Sequence, residues 1–244
     1  MVDSPGPTRQ KSVKHLKDKD SPLPEPSLHE TLIVVDFETT GLNPEQGDRV
    51  IEIGAVAINR DRVTDHFTSL IRPDFLISRE IEQLTGISNL HLRDAPLVAT
   101  VMEKFVRFIG SYPLLAHNAA FDQKFLESEL KHFGRPRPLN FGCTLQLAKR
   151  IYPDLGSYKL ESLVHFKKLP TNGQFHRALA DAQMTARLWL AMVSDLRQLY
   201  GLEYIPFSLL KKACKTSSEQ IPELFHQAAR EARHNQIDTT GHLF

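Results

Sequence analysis

The sequence predicts an α/β domain: a mixed sheet, made of a three-stranded antiparallel meander plus parallel strands, flanked by helices. Three observations carry that expectation. First, the strand-like segments Thr31 to Phe37, Arg49 to Asn59 and Val63 to Ile71 are joined by short connections, which favour antiparallel pairing. Second, helical periodicity then alternates with a short strand-like run, a pattern that covers a mixed sheet with helices. Third, Asp36 and Glu38 follow directly on the apolar run Leu32-Ile33-Val34-Val35. Side chains alternate faces along a strand, so the two carboxylates project from the same side. On a buried strand that pair is poor structure and good metal chemistry.

The elements follow in order. Gly41-Leu42-Asn43-Pro44 and Arg60-Asp61 separate the three strands of the meander. Asp94-Ala95-Pro96 supplies a helix start, after which Leu97, Val101, Phe105 and Phe108 recur at helical spacing until Gly110. Pro113 to Asn118 reads as a short strand, and Phe121, Phe125, Leu126, Leu130 and Phe133 mark the next helix, closed by Gly134. Further helices are expected near Thr144 to Ile151, near Leu160 to Phe166, from about Arg177 to Tyr200, and from Ile221 to Arg233.

At 244 residues the chain suits one domain with extensions. Residues 1–29 combine five prolines with a cluster of lysines and almost no large apolar side chains, the composition of a disordered arm. A solubilising tail or a weak contact with nucleic acid fits it. Residues 30–200 form the expected core domain and 201–244 a helical extension and tail. No apolar stretch reaches membrane-spanning length and no secretory signal core opens the chain, so a cytoplasmic protein is expected. Cys143 and Cys214 form no Cys-x-x-Cys pair, which argues against a disulfide framework or zinc. The net charge of +1 gives no bulk attraction for polyanions.

Three more positions lie at element ends, where sites are usually assembled. Asp122 begins a helix just after a strand, and His176 and Asp181 flank the start of the long helix. Singly, each carboxylate reads as a helix-start partner and the histidine as an exposed side chain. Jointly, four carboxylates and an imidazole at matched element ends form a constellation.

With those residues the chain resembles the DEDDh exonucleases, over about Thr31 to Tyr200. The resemblance rests on Asp36-Phe37-Glu38-Thr39-Thr40-Gly41-Leu42 with Val50-Ile51-Glu52-Ile53-Gly54-Ala55, on His117-Asn118-Ala119-Ala120-Phe121-Asp122, and on His176-Arg177-Ala178-Leu179-Ala180-Asp181. Glu82-Gln83-Leu84-Thr85-Gly86-Ile87 also looks like a segment frequent in that family. It implies a ribonuclease-H-like fold with the Asp36 strand at the sheet centre, and hydrolysis from the 3′ end.

Hard oxygen ligands suit Mg²⁺ or Mn²⁺, and two ions can stabilise the attacking and leaving oxygens of a phosphodiester. Asp36, Glu38, Asp122 and Asp181 are the expected metal ligands, with Asp36 bridging. His176 is the expected general base. By the same resemblance Thr39, Thr40, Gly41 and Leu42 would meet the terminal nucleotide, with His117, Asn118 and Phe121 lining the pocket. For Phe121 and Leu42, core packing is an equal reading. Glu52, amid an apolar strand, reads as a buried support for the site, and Cys143 stands where many relatives carry an acidic residue.

The expected substrate is the 3′ end of single-stranded DNA, in proofreading or repair. An exoribonuclease is the rival and a non-catalytic nucleic-acid-binding module the lesser alternative. A DNA polymerase or sliding clamp is the candidate partner: Gly241-His242-Leu243-Phe244 faintly resembles clamp-binding endings but lacks the upstream Gln. Lys211, Lys212 and Lys215 suit either a nucleic-acid backbone or an ordinary solvated helix face.

Overall fold

The computed structural model describes residues 31–171 and 176–240. The arm expected at 1–29 and the ending Gly241 to Phe244 lie outside the described residues.

The meander comprises β1 (Leu32–Thr39), β2 (Val50–Asn59) and β3 (Arg62–Leu70). Arg60 and Asp61, both at positive φ, make the two-residue turn between β2 and β3, whose backbone twist matches that of the strands it joins. Then come α1 (Arg79–Thr85), α2 (Asn89–Arg93), α3 (Val98–Ile109), β4 (Leu114–Ala116), α4 (Ala119–His132), β5 (Phe141–Cys143), α5 (Thr144–Ile151) and α6 (Leu160–Phe166). The chain continues through α7 (Ala178–Tyr200), α8 (Phe207–Lys215) and α9 (Ile221–Thr240).

The five strands form one mixed sheet in the order β3-β2-β1-β4-β5, with β1 at its centre. β2 runs antiparallel to β1 and β3, whereas β4 lies parallel to β1 and to β5. Alternation along β1 feeds two cores. Leu32 and Val34 join Val56 and Ile58 of β2 against Leu188, Trp189 and Met192 of α7. Ile33, Val35 and Phe37 join Phe105 of α3 and Phe125 of α4 on the other face. A smaller cluster of Ile51, Ile77, Ile87 and Leu92 seats α1 and α2.

The α7-side core extends past Tyr200. Phe207 and Leu210 of α8 and Phe225 of α9 are buried in it, and the Phe225 ring stacks on Tyr200 at 5.1 Å.

The expected meander, long helix and sheet centre are all present. The strand expected over Pro113 to Asn118 is shorter because Asn118 turns left-handed, φ 67°, to open α4. β5, α1 and α2 were not expected. Each spans seven residues or fewer, too short for periodicity to register, although Ser78 and Ser88 cap α1 and α2 by accepting backbone N–H groups.

Candidate active site

The row that begins with Leu32 and Val34 continues as Asp36 and Glu38, so both carboxylates face α7. Beyond Val34, β1 has no further partner on β4, and its carboxyl end projects past that edge. The ends of strands at such a change of direction are where open α/β sheets hold ligands. Asp181 enters from the first turns of α7. Oxygen atoms of Asp36, Glu38 and Asp181 all lie within 4.8 Å of one another.

Asp122 stands apart from that close trio because α4 packs on the opposite face of the sheet. It reaches the end of β1 from that side and accepts a hydrogen bond from the Phe37 N–H. The carboxylate is buried, yet its Oδ1 has no hydrogen-bond partner among the described residues, and the same holds for Oδ1 of Asp181. Buried, unpartnered carboxylate oxygens converging on two half-buried ones suit a divalent cation and little else. The donor set, all carboxylate oxygen, therefore fits a hard divalent cation.

Electrostatics point the same way. Burial first, then the charges of Asp122, Asp181, Glu38 and Glu52, hold the Asp36 carboxyl well above the usual carboxylate range. Glu38 is pushed up to about 8 by burial and by Asp181 and Glu52, with Arg177 acting against them. Asp122 is raised strongly by burial, although backbone N–H groups oppose the rise. Asp181 is raised by burial, against the His176 N–H and the His176 charge. Without cations these groups resist sharing one site as anions.

His176 is exposed, sits at φ 62°, and donates its backbone N–H to Asp181 Oδ2 at 2.9 Å. A non-glycine residue held there is uncommon and marks a junction whose surroundings determine its conformation. The five predicted catalytic residues thus gather at one end of β1: three with oxygens within 4.8 Å of one another, Asp122 from the opposite face, and His176 tied to Asp181.

The predicted substrate residues surround this end. The β1–β2 register shifts between Glu38 and Thr39, and the chain then turns. Thr39 Oγ1 donates to the Gly41 carbonyl at 2.6 Å. Asp48 accepts from Thr40 Oγ1 at 3.2 Å and from the Asn43 N–H at 2.8 Å. A Cβ on Gly41 would lie 2.4 Å from the Asp48 carboxylate, so only glycine admits this brace.

Leu42 is 75% exposed, which removes the core-packing reading for that residue. Lys124 donates to its carbonyl. Phe121 is half-buried against Phe125 at 5.0 Å. Asn118 is exposed. Both ring nitrogens of His117 are engaged, Nδ1 with Thr144 Oγ1 at 2.8 Å and Nε2 with the Tyr158 carbonyl at 2.9 Å. Donation to that carbonyl assigns the proton to Nε2, and burial lowers the ring's pKa to about 4.

Other residues that build the site escaped sequence reasoning. Asp48 is one. Arg49 is another: it forms a two-bond ion pair with buried Glu129 of α4, both bonds 2.8 Å, joining the start of β2 to the helix that carries Asp122. Arg177 is the third, paired with Glu52. Arg49 and Arg177 pair with residues far away in sequence, so no local signal announced those two, whereas Asp48 braces a turn within its own loop. Glu52 itself is buried and hydrogen-bonded, as expected. Cys143 Sγ accepts the Ala119 N–H at 3.4 Å, where α4 begins.

The family model for exonucleases matches residues 33–189. The chain is 32% identical over 203 residues to the DNA polymerase III ε subunit of Aquifex aeolicus, covering 82% of this chain and 97% of that one. It is also 38% identical over 175 residues to the PolC-type DNA polymerase III of Caldanaerobacter subterraneus, covering 72% of this chain but only 12% of that polymerase's length. Among solved structures it resembles exonuclease X in complex with 5′ overhanging duplex DNA. The TM-score is 0.59 and the identity 27%, over 75% of this chain and 99% of the other.

Proposed function

This chain belongs to the exonuclease family, and from that premise we propose that it removes nucleotides one at a time from the 3′ end of single-stranded DNA, in proofreading or repair. One observation carries the reading most directly. Asp36, Glu38 and Asp181 converge within 4.8 Å at the end of the central strand, beside buried carboxylate oxygens that lack a hydrogen-bond partner among the described residues.

Asp36, Glu38, Asp122 and Asp181 would hold Mg²⁺ or Mn²⁺, two ions in all, which when bound would offset charge on the attacking and leaving oxygens of the phosphodiester. Asp36, whose carboxyl feels the charges of all three others, would be the central residue of that ligand set. His176, exposed at the site's edge and tethered through its own N–H to Asp181, accepts a proton from the attacking water. The products are a 5′-mononucleotide and a new 3′-hydroxyl. Thr39, Thr40 and Gly41 present the braced turn to the terminal nucleotide, and exposed Leu42 lies against its base. Asn118 and Phe121 line the opposite side, while His117 holds the loop around Tyr158 in place.

Kinship with the ε subunit favours DNA over RNA and makes a replicative DNA polymerase the partner to test. Among the described residues no helix is long and apolar enough to cross a membrane. The deciding experiment is Mg²⁺-dependent digestion of 5′-labelled single-stranded DNA and RNA of one sequence, with D36A and H176A as controls. A stepwise ladder of 3′-shortened products, faster on DNA and absent in both variants, is expected. A faster RNA ladder would transfer the substrate to RNA, and no ladder on either polymer would leave a binding role.

A further inference from the structure

The first turn of α7 carries Asp181 and follows directly on His176, yet α7 has no side-chain cap of its own: its N-cap residue, Arg177, makes no capping bond. The exposed N–H groups at a helix start need a partner from elsewhere. Glu52 of β2 supplies it. Its side chain is 3% exposed, and Oε2 accepts the N–H of Ala178, the first residue of α7, at 3.0 Å. Oε1 accepts from Arg177 Nη2 at 2.7 Å, and Nε of Arg177 lies 3.2 to 3.3 Å from both oxygens.

One buried carboxylate therefore grips two successive residues of the junction. Glu52 faces Glu38 directly in the β1–β2 register, so what it grips is set against the metal-binding strand. Hydrogen bonds then run on through the junction: the His176 N–H reaches Asp181 Oδ2 at 2.9 Å, and the Asp181 N–H reaches the Arg177 carbonyl at 3.0 Å. With both oxygens committed to Arg177 and Ala178, Glu52 is not arranged as a fifth metal ligand.

Resting on the exonuclease reading, we infer that Glu52 and Arg177 form a positioning clamp that fixes the start of α7 on β2, and thereby sets His176 and Asp181 relative to Asp36 and Glu38. Neither residue touches the reacting atoms. The clamp acts on geometry, so it governs turnover rather than substrate affinity. The fork of the guanidinium matters and its charge alone does not suffice, because a lysine cannot bond both oxygens in one plane.

The test compares the 244-residue wild type with E52A, R177K and the double variant E52A/R177K in two independent readouts. On labelled single-stranded DNA with Mn²⁺, E52A and R177K are expected to lose about 10- to 100-fold in kcat, as supports of metal sites do. KM is expected to stay within about threefold, the sign that ground-state binding is untouched. The double variant should be no slower than the worse single, since the two residues act as a unit.

By hydrogen exchange, the Ala178 amide should lose protection in E52A while Val56 of β2 keeps it. If E52A loses protection across the whole sheet, R177K carries the decision, because the Arg177 side chain is 51% exposed and tolerates exchange. Wild-type kcat in R177K, a change in KM alone, or full Ala178 protection in both single variants would each overturn the clamp. A wild type without any ladder would end the exonuclease reading instead, and Ala178 exchange would still judge the clamp by itself.

Discussion

Asp36 is the residue for which function and stability conflict most openly, because burial and the four neighbouring acids Asp122, Asp181, Glu38 and Glu52 all oppose its charge. In D36N the isosteric amide removes that charge. The variant should melt higher than wild type in EDTA at pH 8, gain nothing from Mn²⁺, and give no ladder. Equal melting temperatures in EDTA would show that the carboxylates are not in conflict.

The same conflict sets a pH dependence. Folded Glu38 keeps its proton up to about 8, whereas in the unfolded chain it ionises near ~4. Between those values the folded state binds more protons than the unfolded one, so stability falls as pH rises through the window. E38Q removes this dependence, and its melting temperature in EDTA should exceed that of wild type by a margin that widens from pH 5 to 8.

His117 behaves in the opposite sense. Its folded pKa of about 4 lies below the unfolded value near ~6.5, so its contribution is complete above pH ~6.5 and lost as pH falls toward 4. Ring ¹⁵N spectra at pH 5.5 should show a neutral imidazole with its proton on Nε2, and a protonated ring there would contradict the Thr144 and Tyr158 contacts. Asp36 and Glu38 were legible in sequence because strand alternation is a local rule. The fixed role of His117 was not, since Tyr158 lies 41 residues away.

At the scale of elements, the site depends on α7 lying close on β2. Gly54 is where they meet: a Cβ there would fall 2.0 Å from the Ala178 carbonyl carbon and 2.1 Å from the Leu179 nitrogen. These are backbone atoms and cannot rotate aside. G54A should therefore cost about 1–3 kcal/mol of stability, the usual range for overpacking, and lower kcat by displacing Asp181. G156A, where a Cβ meets nothing within 4 Å, serves as the control. Matching melting curves for the two variants would mean that α7 is free to slide.

The long elements were readable because 23 residues of α7 and ten of β2 give periodicity room to register. Three-residue β5 and five-residue α2 exist because the surrounding fold pairs or seats them, and that information is not local. Gly54 illustrates the same limit. Its place in an apolar strand was visible, but the helix that requires it lies more than a hundred residues further on.

Taken as one molecule, the chain buries its long central helix from two directions, and α8 and α9 supply one of them. The family model stops at residue 189, yet Phe207, Leu210 and Phe225 are at most 8% exposed and pack in the core beneath α7. Fully burying a side chain of this kind is worth roughly 1.5–3 kcal/mol, against roughly 5–15 kcal/mol for the stability of a whole domain. Losing all three at once would consume much of that margin and expose Trp189 and Tyr200, their ring partners. A chain ending at Tyr200 should therefore unfold at low denaturant and show no metal-dependent ladder, although all five catalytic candidates remain in it. Removing residues 1–29 should leave both the melting temperature and the ladder intact, because no catalytic candidate lies there. F225A separates the two explanations for failure of the shorter chain. With every helix present it should lose about 3–5 kcal/mol, the usual cost of emptying a buried phenylalanine site, while keeping its ladder at low temperature. Cooperative unfolding of the 200-residue chain at the wild-type midpoint would show that the catalytic unit stands without α8 and α9.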